Sequence, residues 1–356
     1  MNNILRQLFF FITSIVYITN LYSQKPDFYW SVDMEAVFDN REGDTKYADA
    51  KTFFQTQLAP EIGLSVNDNR HLIAGGVVWT QPIGCEWKDY RLSPTLYYRY
   101  QNNTGIRFAM GMFSKDLLYS EMPNYIWNDS VNYTQRNIRG AMFGYRNSAG
   151  YFQAFIDWRG MQTDTQREAF NIIASGERRY KKGRFLWGGL MMMNHLAKDK
   201  INREQQYVVD NFVYNPYIGI NLAKFAKTPL DTCSLRIGAL GALTRDRETR
   251  KWELPAGVWV DLDVGWKFLE LKNTFYAGSK LYPFYDRFGT LLDQGEPYYA
   301  ASLYNRTSLQ VFFLRRKFMR LKASLDFNIA PSHFNFYQRV ILEFSLSNSR
   351  ARRATD

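Results

Sequence analysis

The stretch RLKASLDFNI, residues 320–329, decides the fold class of this chain. Apolar and polar residues alternate along its whole length, and this period of two indicates a β-strand with one apolar and one polar face. The polar face carries full charges, which the buried side of a β-sandwich strand would not tolerate. The two faces are Leu321, Ala323, Leu325, Phe327 and Ile329 on one side, and Arg320, Lys322, Ser324, Asp326 and Asn328 on the other.

The same alternation recurs along the rest of the chain. A soluble sandwich strand has the same period, but here such segments continue to the end of the chain without a competing helix pattern. This continuity favours a closed barrel over a mixed fold. The clearest further examples are residues 28–38, 106–115, 152–159 and 256–264.

The connections between these segments alternate in length. Short turns, several of them rich in Asn and Gly as hairpin turns are, occur at residues 67–70, 102–105, 147–150, 180–183 and 315–318. Longer polar stretches separate them, at residues 39–51, 81–91, 117–137, 198–211, 244–254 and 282–297. Transmembrane barrels show this order, with short periplasmic turns and longer extracellular loops, and an even number of strands. We therefore predict an all-β, closed antiparallel transmembrane β-barrel of about 16 strands, with about 14 as the alternative.

Composition agrees with this fold class. The chain has 356 residues, of which 17% are aromatic, and its mean hydropathy is -0.39. That hydropathy is too low for a helical membrane protein, but barrel strands alternate apolar-out and polar-in and gather aromatics at the membrane interfaces. A secreted β-sandwich that binds carbohydrate through aromatic side chains is the alternative. The net charge of +11 is scattered without dense basic clusters, so we predict no nucleic-acid partner.

Residues 1–23 have the parts of a cleaved signal peptide. Arg6 supplies the positive start, an apolar core follows, and the small residue Ser23 precedes Gln24. The apolar run is shorter than the roughly 20 residues needed for a membrane-spanning helix. The predicted organisation is a signal peptide at 1–23, a transmembrane barrel at 24–346 and a basic polar tail at 347–356.

Together, the signal peptide, the alternating strands, the turn order and a final strand with Val340, Leu342 and Phe344 resemble an outer-membrane β-barrel of the porin-like kind. The resemblance covers nearly the whole mature chain. It implies the outer membrane of a Gram-negative-type cell, with outer-membrane lipid, the barrel-assembly machinery and an envelope protein as expected partners. One departure is that such barrels often end at an aromatic residue, whereas this chain continues through Ser345 to Asp356.

If the polar face of each strand lines the lumen, the candidate lumen-lining residues follow directly. Cross-strand ion pairs that stiffen the wall are the first interpretation of these charges, and an opposed-charge constriction that orients a polar solute is the second. The candidates are Asp33, Glu35, Arg99, Arg107, Lys115, Asp157, Arg159, Arg236, Asp261, Asp263, Arg306, Arg320, Lys322, Asp326, Arg339 and Glu343.

Catalytic patterns are weak in this sequence. Its three histidines, His71, His195 and His333, have no metal-ligand spacing with cysteine or with each other. His195 and His333 are expected near the outer rim, but no serine or carboxylate partner for either can be recognised from the sequence. We therefore predict no catalytic residues, no metal, no cofactor and no enzyme activity.

Two functions fit these features. The first is a porin-like pore for small polar solutes, since a barrel of this size encloses an aqueous lumen unless loops fill it. The second is a non-conducting accessory or scaffold barrel in an envelope assembly or secretion complex. The connection at residues 117–137 could fold inward as a constriction or outward onto a partner. Cys85 and Cys233 should lie at opposite ends of the barrel, and we expect both thiols to be free.

Overall fold

A computed structural model describes residues 25–44, 46–201, 206–225 and 228–348. The predicted signal peptide with Gln24, and the end of the predicted tail from residue 349 on, lie outside the described residues. The strands are β1 (Asp27–Gly43), β2 (Lys51–Val66), β3 (His71–Pro82), β4 (Arg91–Gln101), β5 (Ile106–Ser114), β6 (Asn137–Asn147), β7 (Gly150–Gly160), β8 (Ala169–Tyr180), β9 (Phe185–Leu196), β10 (Val209–Asn221), β11 (Thr232–Asp246), β12 (Trp252–Glu253), β13 (Ala256–Trp266), β14 (Leu269–Gly278), β15 (Leu303–Arg316), β16 (Met319–Ala330) and β17 (His333–Ser347).

Among the described residues, helices are confined to the connections. In these ranges two short α-helices occur, α1 (Asp129–Thr134) and α2 (Tyr285–Phe288), and 3-10 turns form at Trp87–Asp89, Lys115–Leu117, Leu222–Lys224, Gly289–Leu291 and Pro297–Ala300. Within the described ranges, none of these helices has the length and apolar character needed to cross a bilayer.

The strands form one closed sheet. Each long strand pairs antiparallel with its neighbours in the sequence, and the two-residue strand β12 only extends β11. The first and last strands close the ring in a continuous register from Ser31↔Ser347 to Gly43↔Asn335. The predicted closed antiparallel barrel of about 16 strands is therefore confirmed, with one additional short strand. Closure also excludes the secreted sandwich, because it leaves no open sheet edge.

Side-chain exposure follows the predicted period of two. On β16, Ser324, Asp326 and Asn328 are buried, whereas Leu325 and Ile329 are exposed. The apolar residues therefore face outward, as lipid requires, and the polar residues face the interior. The same alternation holds on β1, where Phe28 and Trp30 are exposed.

The connections differ in length at the two ends of the barrel. One end, where the described barrel also begins and finishes, has the turns at residues 67–70, 102–105, 148–149, 181–184, 222–231, 267–268 and 317–318; the other has 44–50, 83–90, 115–136, 161–168, 197–208, 247–255, 279–302 and 331–332. The short-turn end is the periplasmic one. In the turn at 67–70, Asn67, Asp68 and Asn69 all have positive φ, which Asn and Asp tolerate better than other side chains.

Several predicted boundaries were wrong in detail. The connection predicted at 39–51 shrinks to 44–50 because β1 and β2 pair up to Arg41↔Lys51. The connection at 161–168 was not predicted. The loop at 331–332 is only two residues long although it lies at the long-loop end. Both cysteines are free, with Cys85 exposed; Cys85 lies in the 83–90 loop and Cys233 at the periplasmic end of β11, as expected.

Candidate functional site in the barrel interior

Two long extracellular connections fold into the barrel. Loop A (residues 115–136) buries Leu117, Tyr125, Ile126 and Trp127, and loop B (residues 279–302) buries Tyr282, Tyr298 and Tyr299. These are large apolar or aromatic side chains, and burying them favours the inward position over exposure to water. We call loops A and B together the plug.

The two loops of the plug bind each other through their backbones. The amide of Asn128 donates to the carbonyl of Gln294 at 2.8 Å, and the amide of Glu296 donates to the carbonyl of Asn124 at 2.7 Å. Gly295 lies at the closest approach, since a Cβ there would collide with the hydroxyl of Tyr282 and the backbone of Tyr125. Loops A and B therefore form one unit rather than two independent flaps.

Polar contacts attach the plug to the wall. The Asp129 carboxylate of loop A lies 2.7 Å from Nη2 of Arg306 and 2.6 Å from Nη1 of Arg339. Burial alone would raise the pKa of Asp129, but these two guanidinium groups lower it below its usual range. From loop B, Glu296 lies 3.0 Å from Nη1 of Arg306. Arg306 therefore holds both loops at once.

Aromatic packing completes the attachment. Tyr125 contacts the ring of Trp259 on the wall edge-on, with centroids 6.2 Å apart, and Tyr298 stacks on Tyr304 at 4.9 Å. A single buried apolar cluster thereby joins opposite sides of the wall through the plug. The wall tyrosines Tyr29, Tyr97, Tyr276 and Tyr304 are buried in this cluster, so they pack the interior and do not present free rings for sugar stacking.

Below the plug, a vestibule lies toward the periplasmic end. Its larger cavity, of about 860 Å³, reaches from the turn residue Ser148 up to Arg306. A smaller cavity, of about 360 Å³, lies beside β1, β16 and β17. The two cavities share Glu121 and Lys272 in their linings. Acidic and basic side chains line both of them, so the vestibule offers opposed charges to a solute.

The structure divides the candidate lumen-lining residues into two groups. One group lines the vestibule: Asp33, Glu35, Lys115, Arg236, Asp261, Asp263, Arg306, Arg320, Lys322, Arg339 and Glu343. The other group, Arg99, Arg107, Asp157, Arg159 and Asp326, lines neither cavity. Lys115 differs from the others in its origin, because it lies in the 3-10 turn that opens loop A and not on a strand.

Residues of the second group bind the plug or other wall residues. Nη1 of Arg107 donates to the carbonyl of Leu117 at 2.6 Å, and Nη1 of Arg159 donates to the carbonyl of Leu291 at 2.9 Å. Asp326 forms ion pairs with Arg339 and Arg306. These charges therefore contact the plug as well as neighbouring wall residues.

The plug contributes charges that strand alternation could not identify. Glu121 and Asp129 from loop A line the vestibule, and Glu296 pairs with Arg306. Lys115 lies with its ammonium 3.9 Å from the centre of the Trp127 ring, and burial lowers its pKa to about 7. Lys115 was already among the sequence candidates, whereas Glu121, Asp129 and Glu296 could be assigned to the site only from the folded loops.

His195 and His333 lie near the outer rim, as expected, and each has an acidic neighbour, whereas His71 lies at the periplasmic start of β3. Nδ1 of His333 lies 3.0 Å from Oδ2 of Asp44, a partner that the sequence did not reveal. His195 is on the lipid-facing side of β9, opposite Asp210 of β10, and its ring stacks on Phe170 at 4.9 Å. Among the described residues, no Ser or Thr hydroxyl hydrogen-bonds to either histidine, and no cluster of potential metal ligands occurs.

One buried acid in loop B predicts a pH dependence of the plug. Burial raises the pKa of Asp293 from 3.8 to about 7, against the opposing effects of Arg159 and of the hydrogen bond from Nδ2 of Asn211. Between these two values the folded plug binds a proton that the released loop does not, so its stability falls as pH rises from about 4 to 7 and stays low above that.

The measured quantity is the rate at which trypsin cleaves after Arg287 in loop B, expressed as the ratio of wild type to Asp293→Asn at the same pH. We expect this ratio to be higher at pH 8 than at pH 6. The asparagine mimics the protonated acid and should remove the part of the pH dependence that comes from Asp293. Burial also raises the pKa of Glu296 in the same loop to about 7, and its part is the same in both proteins. Referring each rate to the variant cancels the pH dependence of the protease itself. Equal ratios at both pH values would contradict the assignment.

Two solved structures share this fold at low sequence identity. A doubly substituted variant of OccD1 (OprD) has 8% sequence identity and a TM-score of 0.52, over 92% of this chain and 98% of that one. OccK9 (OpdG) from Pseudomonas aeruginosa has 8% identity and a TM-score of 0.52, over 90% of this chain and 98% of that one. No curated protein has a detectable match to the sequence. The chain is thus a porin-like outer-membrane β-barrel in its architecture.

The family assignment comes from the sequence itself. The profile of the lipid A 3'-O-deacylase-type family matches residues 22–354. Because this match covers nearly the whole chain, the protein belongs to the lipid A 3'-O-deacylase-type family.

Proposed function

We propose that this protein is a porin-like pore of the outer membrane for small polar solutes, and that the plug is its gate. The observation that carries the proposal is the vestibule of about 860 Å³, lined by both acidic and basic side chains. An interior built only for stability would fill this space with packed side chains. A polar cavity of this size is expected where a pore holds a solute during its passage.

The charges of the vestibule support a selective path. Arg236 lies between two acids, with Nη2 3.1 Å from Glu177 and Nη1 3.3 Å from Asp261. Part of these charges stiffens the wall by cross-strand pairing. Arg236 and Asp261 nevertheless keep 23% and 27% of their side-chain surface exposed, so they remain able to interact with a passing solute. Rings of opposed charge orient polar solutes in pores.

The plug has the properties of a gate. Loop A is attached to the wall through Asp129, whose two partners, Arg306 and Arg339, also have Asp326 as a partner. Release of loop A therefore leaves both of these guanidinium groups with a carboxylate partner, which keeps the cost of breaking this contact low compared with an ordinary buried ion pair.

The decisive experiment is single-channel recording of the purified protein in planar bilayers. We expect small, steady conductance steps with the plug in place. A protein that stays silent in every recording, also after the plug is loosened by substitution, would contradict the pore.

One observation favours the accessory barrel as a second candidate. The plug and its aromatic cluster connect opposite walls of the interior, and a barrel that never conducts needs no open lumen. Silence together with a co-purifying envelope protein would support this function in place of the pore.

We propose that the protein is not an enzyme, although its family takes its name from lipid A deacylation. An ester hydrolase needs a nucleophile activated by a base, and His195 and His333 each have an acidic neighbour but no described hydroxyl partner. Incubation of the purified barrel with lipid A, followed by mass spectrometry, tests this directly. Loss of one acyl chain from lipid A would overturn the proposal.

The cellular context is part of the same proposal. We infer that residues 1–23 direct export, that the mature chain starts at Gln24, and that outer-membrane lipid and the assembly machinery are its partners. Mass spectrometry of the protein from isolated outer membranes measures the first residue. Retention of Met1 there would contradict the signal peptide.

A further inference from the structure

A groove runs along the outside of the barrel across β6 to β10. It has a volume of about 600 Å³, which lies within the range of about 300–1,000 Å³ typical of specific small-molecule sites. Because outward-facing side chains line it, the groove opens to the lipid and is separate from the vestibule.

Missing side chains create the groove. On the outward face, Gly176 of β8 is paired with Gly189 of β9, and Gly189 is paired with Pro216 of β10. With Ala174 on the same face, these residues give a floor almost without side chains. Two adjacent glycines weaken a strand pair, so an outward pair needs a reason other than wall stability.

Large side chains form the sides of this floor. Phe152, Trp187 and Met191 all face outward, with exposures of 46%, 61% and 54%. Tyr214 of β10 completes the lining. The result is an apolar channel along the wall rather than a flat surface.

The groove lies in the periplasmic half of the wall. Gly176 is four residues before the end of β8 at Tyr180, and Trp187 is two residues after the start of β9 at Phe185. A transmembrane strand crosses an apolar band of roughly 25 Å, so the groove faces the acyl chains of the inner leaflet. Lipid A chains of the outer leaflet would meet the opposite half.

Positive charge lies at the periplasmic end of the groove. Arg178 is the next outward-facing residue after Gly176 and is exposed, and it forms no ion pair with any described residue. Lys181 and Lys182 follow in the turn. A guanidinium group at the membrane interface is well suited to bind a phosphate through two parallel hydrogen bonds.

We propose that this groove binds one glycerophospholipid of the periplasmic leaflet, with an acyl chain over the glycine floor and the phosphate at Arg178. Each methylene of the acyl chain that packs in the groove contributes to retention of the lipid. The positive charge of Arg178 determines that the phosphate lies at the periplasmic end. The site is independent of conductance through the lumen.

Native mass spectrometry of the full barrel in detergent micelles, titrated with phosphatidylglycerol, tests the site. We expect one phosphatidylglycerol to be retained by the wild-type protein. Ala174→Phe fills the floor and should weaken retention at least tenfold, and Arg178→Glu should weaken it about fivefold or more.

Matched controls are available on the far wall. Ala323→Phe adds the same ring to an outward-facing alanine of β16, and Arg316→Glu reverses a charge at the periplasmic end of β15; both should retain the lipid as the wild type does. Folding of every variant is checked by its heat-modifiable mobility.

Three outcomes would overturn the site. In the first, the wild-type protein retains no phospholipid. In the second, Ala323→Phe weakens retention of phosphatidylglycerol as much as Ala174→Phe does. In the third, lipopolysaccharide displaces phosphatidylglycerol at equal concentration. The second would mean ordinary annular lipid, and the third a site for the outer-leaflet lipid.

Discussion

Replacing Asp129 with asparagine is expected to raise the channel conductance and the open probability of the barrel. The substitution removes the charge that holds loop A against Arg306 and Arg339, at 2.7 Å and 2.6 Å. Hydrogen bonds to charged groups contribute about 1.5–3 kcal/mol, so the equilibrium between inserted and released loop should shift by roughly tenfold to hundredfold. Planar-bilayer recording measures both quantities.

The same loop offers a matched control. Asp116 pairs with Arg136 of loop A itself at 2.7 Å, and its side chain is 55% exposed, so Asp116→Asn should leave the open probability near the wild-type value. The barrel should fold in both variants because Arg306 and Arg339 keep Asp326 as a partner. Unchanged conductance in a folded Asp129→Asn barrel would mean that loop A is not the gate.

The wall of the barrel could be predicted because its signal is local. In β16 the type of each residue, apolar or polar, indicates which face of the strand it occupies. This is because the lipid outside and the polar interior require opposite residue types at neighbouring positions. An even number of such strands is compatible with antiparallel closure, which the pairing of β1 with β17 completes. The exact ends of the strands could not be predicted in the same way. β1 and β2 pair through polar residues such as Asn40 and Thr52, which read as a loop in the sequence.

The plug shows why the interior of the barrel was harder to predict from the sequence than the wall. The sequence allowed the connection at 117–137 to fold inward or outward, and nothing within the loop decides between them. The decision comes from residues far along the chain, such as the contact of Asp129 with Arg339 and of Asn128 with Gln294. Alternation assigns all of these side chains to the lumen. Which of them line the vestibule and which hold the plug is determined only by the position of the folded loops.

Replacing Leu262 with arginine is expected to destabilise the barrel strongly. Leu262 lies in the middle of β13 on the outward face, and its neighbours in register are Leu235 and Asn273. An arginine near the bilayer midplane costs about 2–4 kcal/mol on a lipid-facing strand. Reversible folding into lipid vesicles, followed across a denaturant series, measures this loss as a lower midpoint.

The adjacent inward residue is the control for this prediction. Asp261 accepts a hydrogen bond from Thr274 at 3.1 Å and lies 3.3 Å from Arg236. An asparagine at this position keeps one oxygen, which can still accept the hydrogen bond from Thr274. The contact with Arg236 is lost, but Arg236 retains Glu177 as its ion-pair partner. Asp261→Asn should therefore shift the midpoint much less than Leu262→Arg. Equal destabilisation by both variants would contradict the assignment of Leu262 to the lipid and Asp261 to the interior.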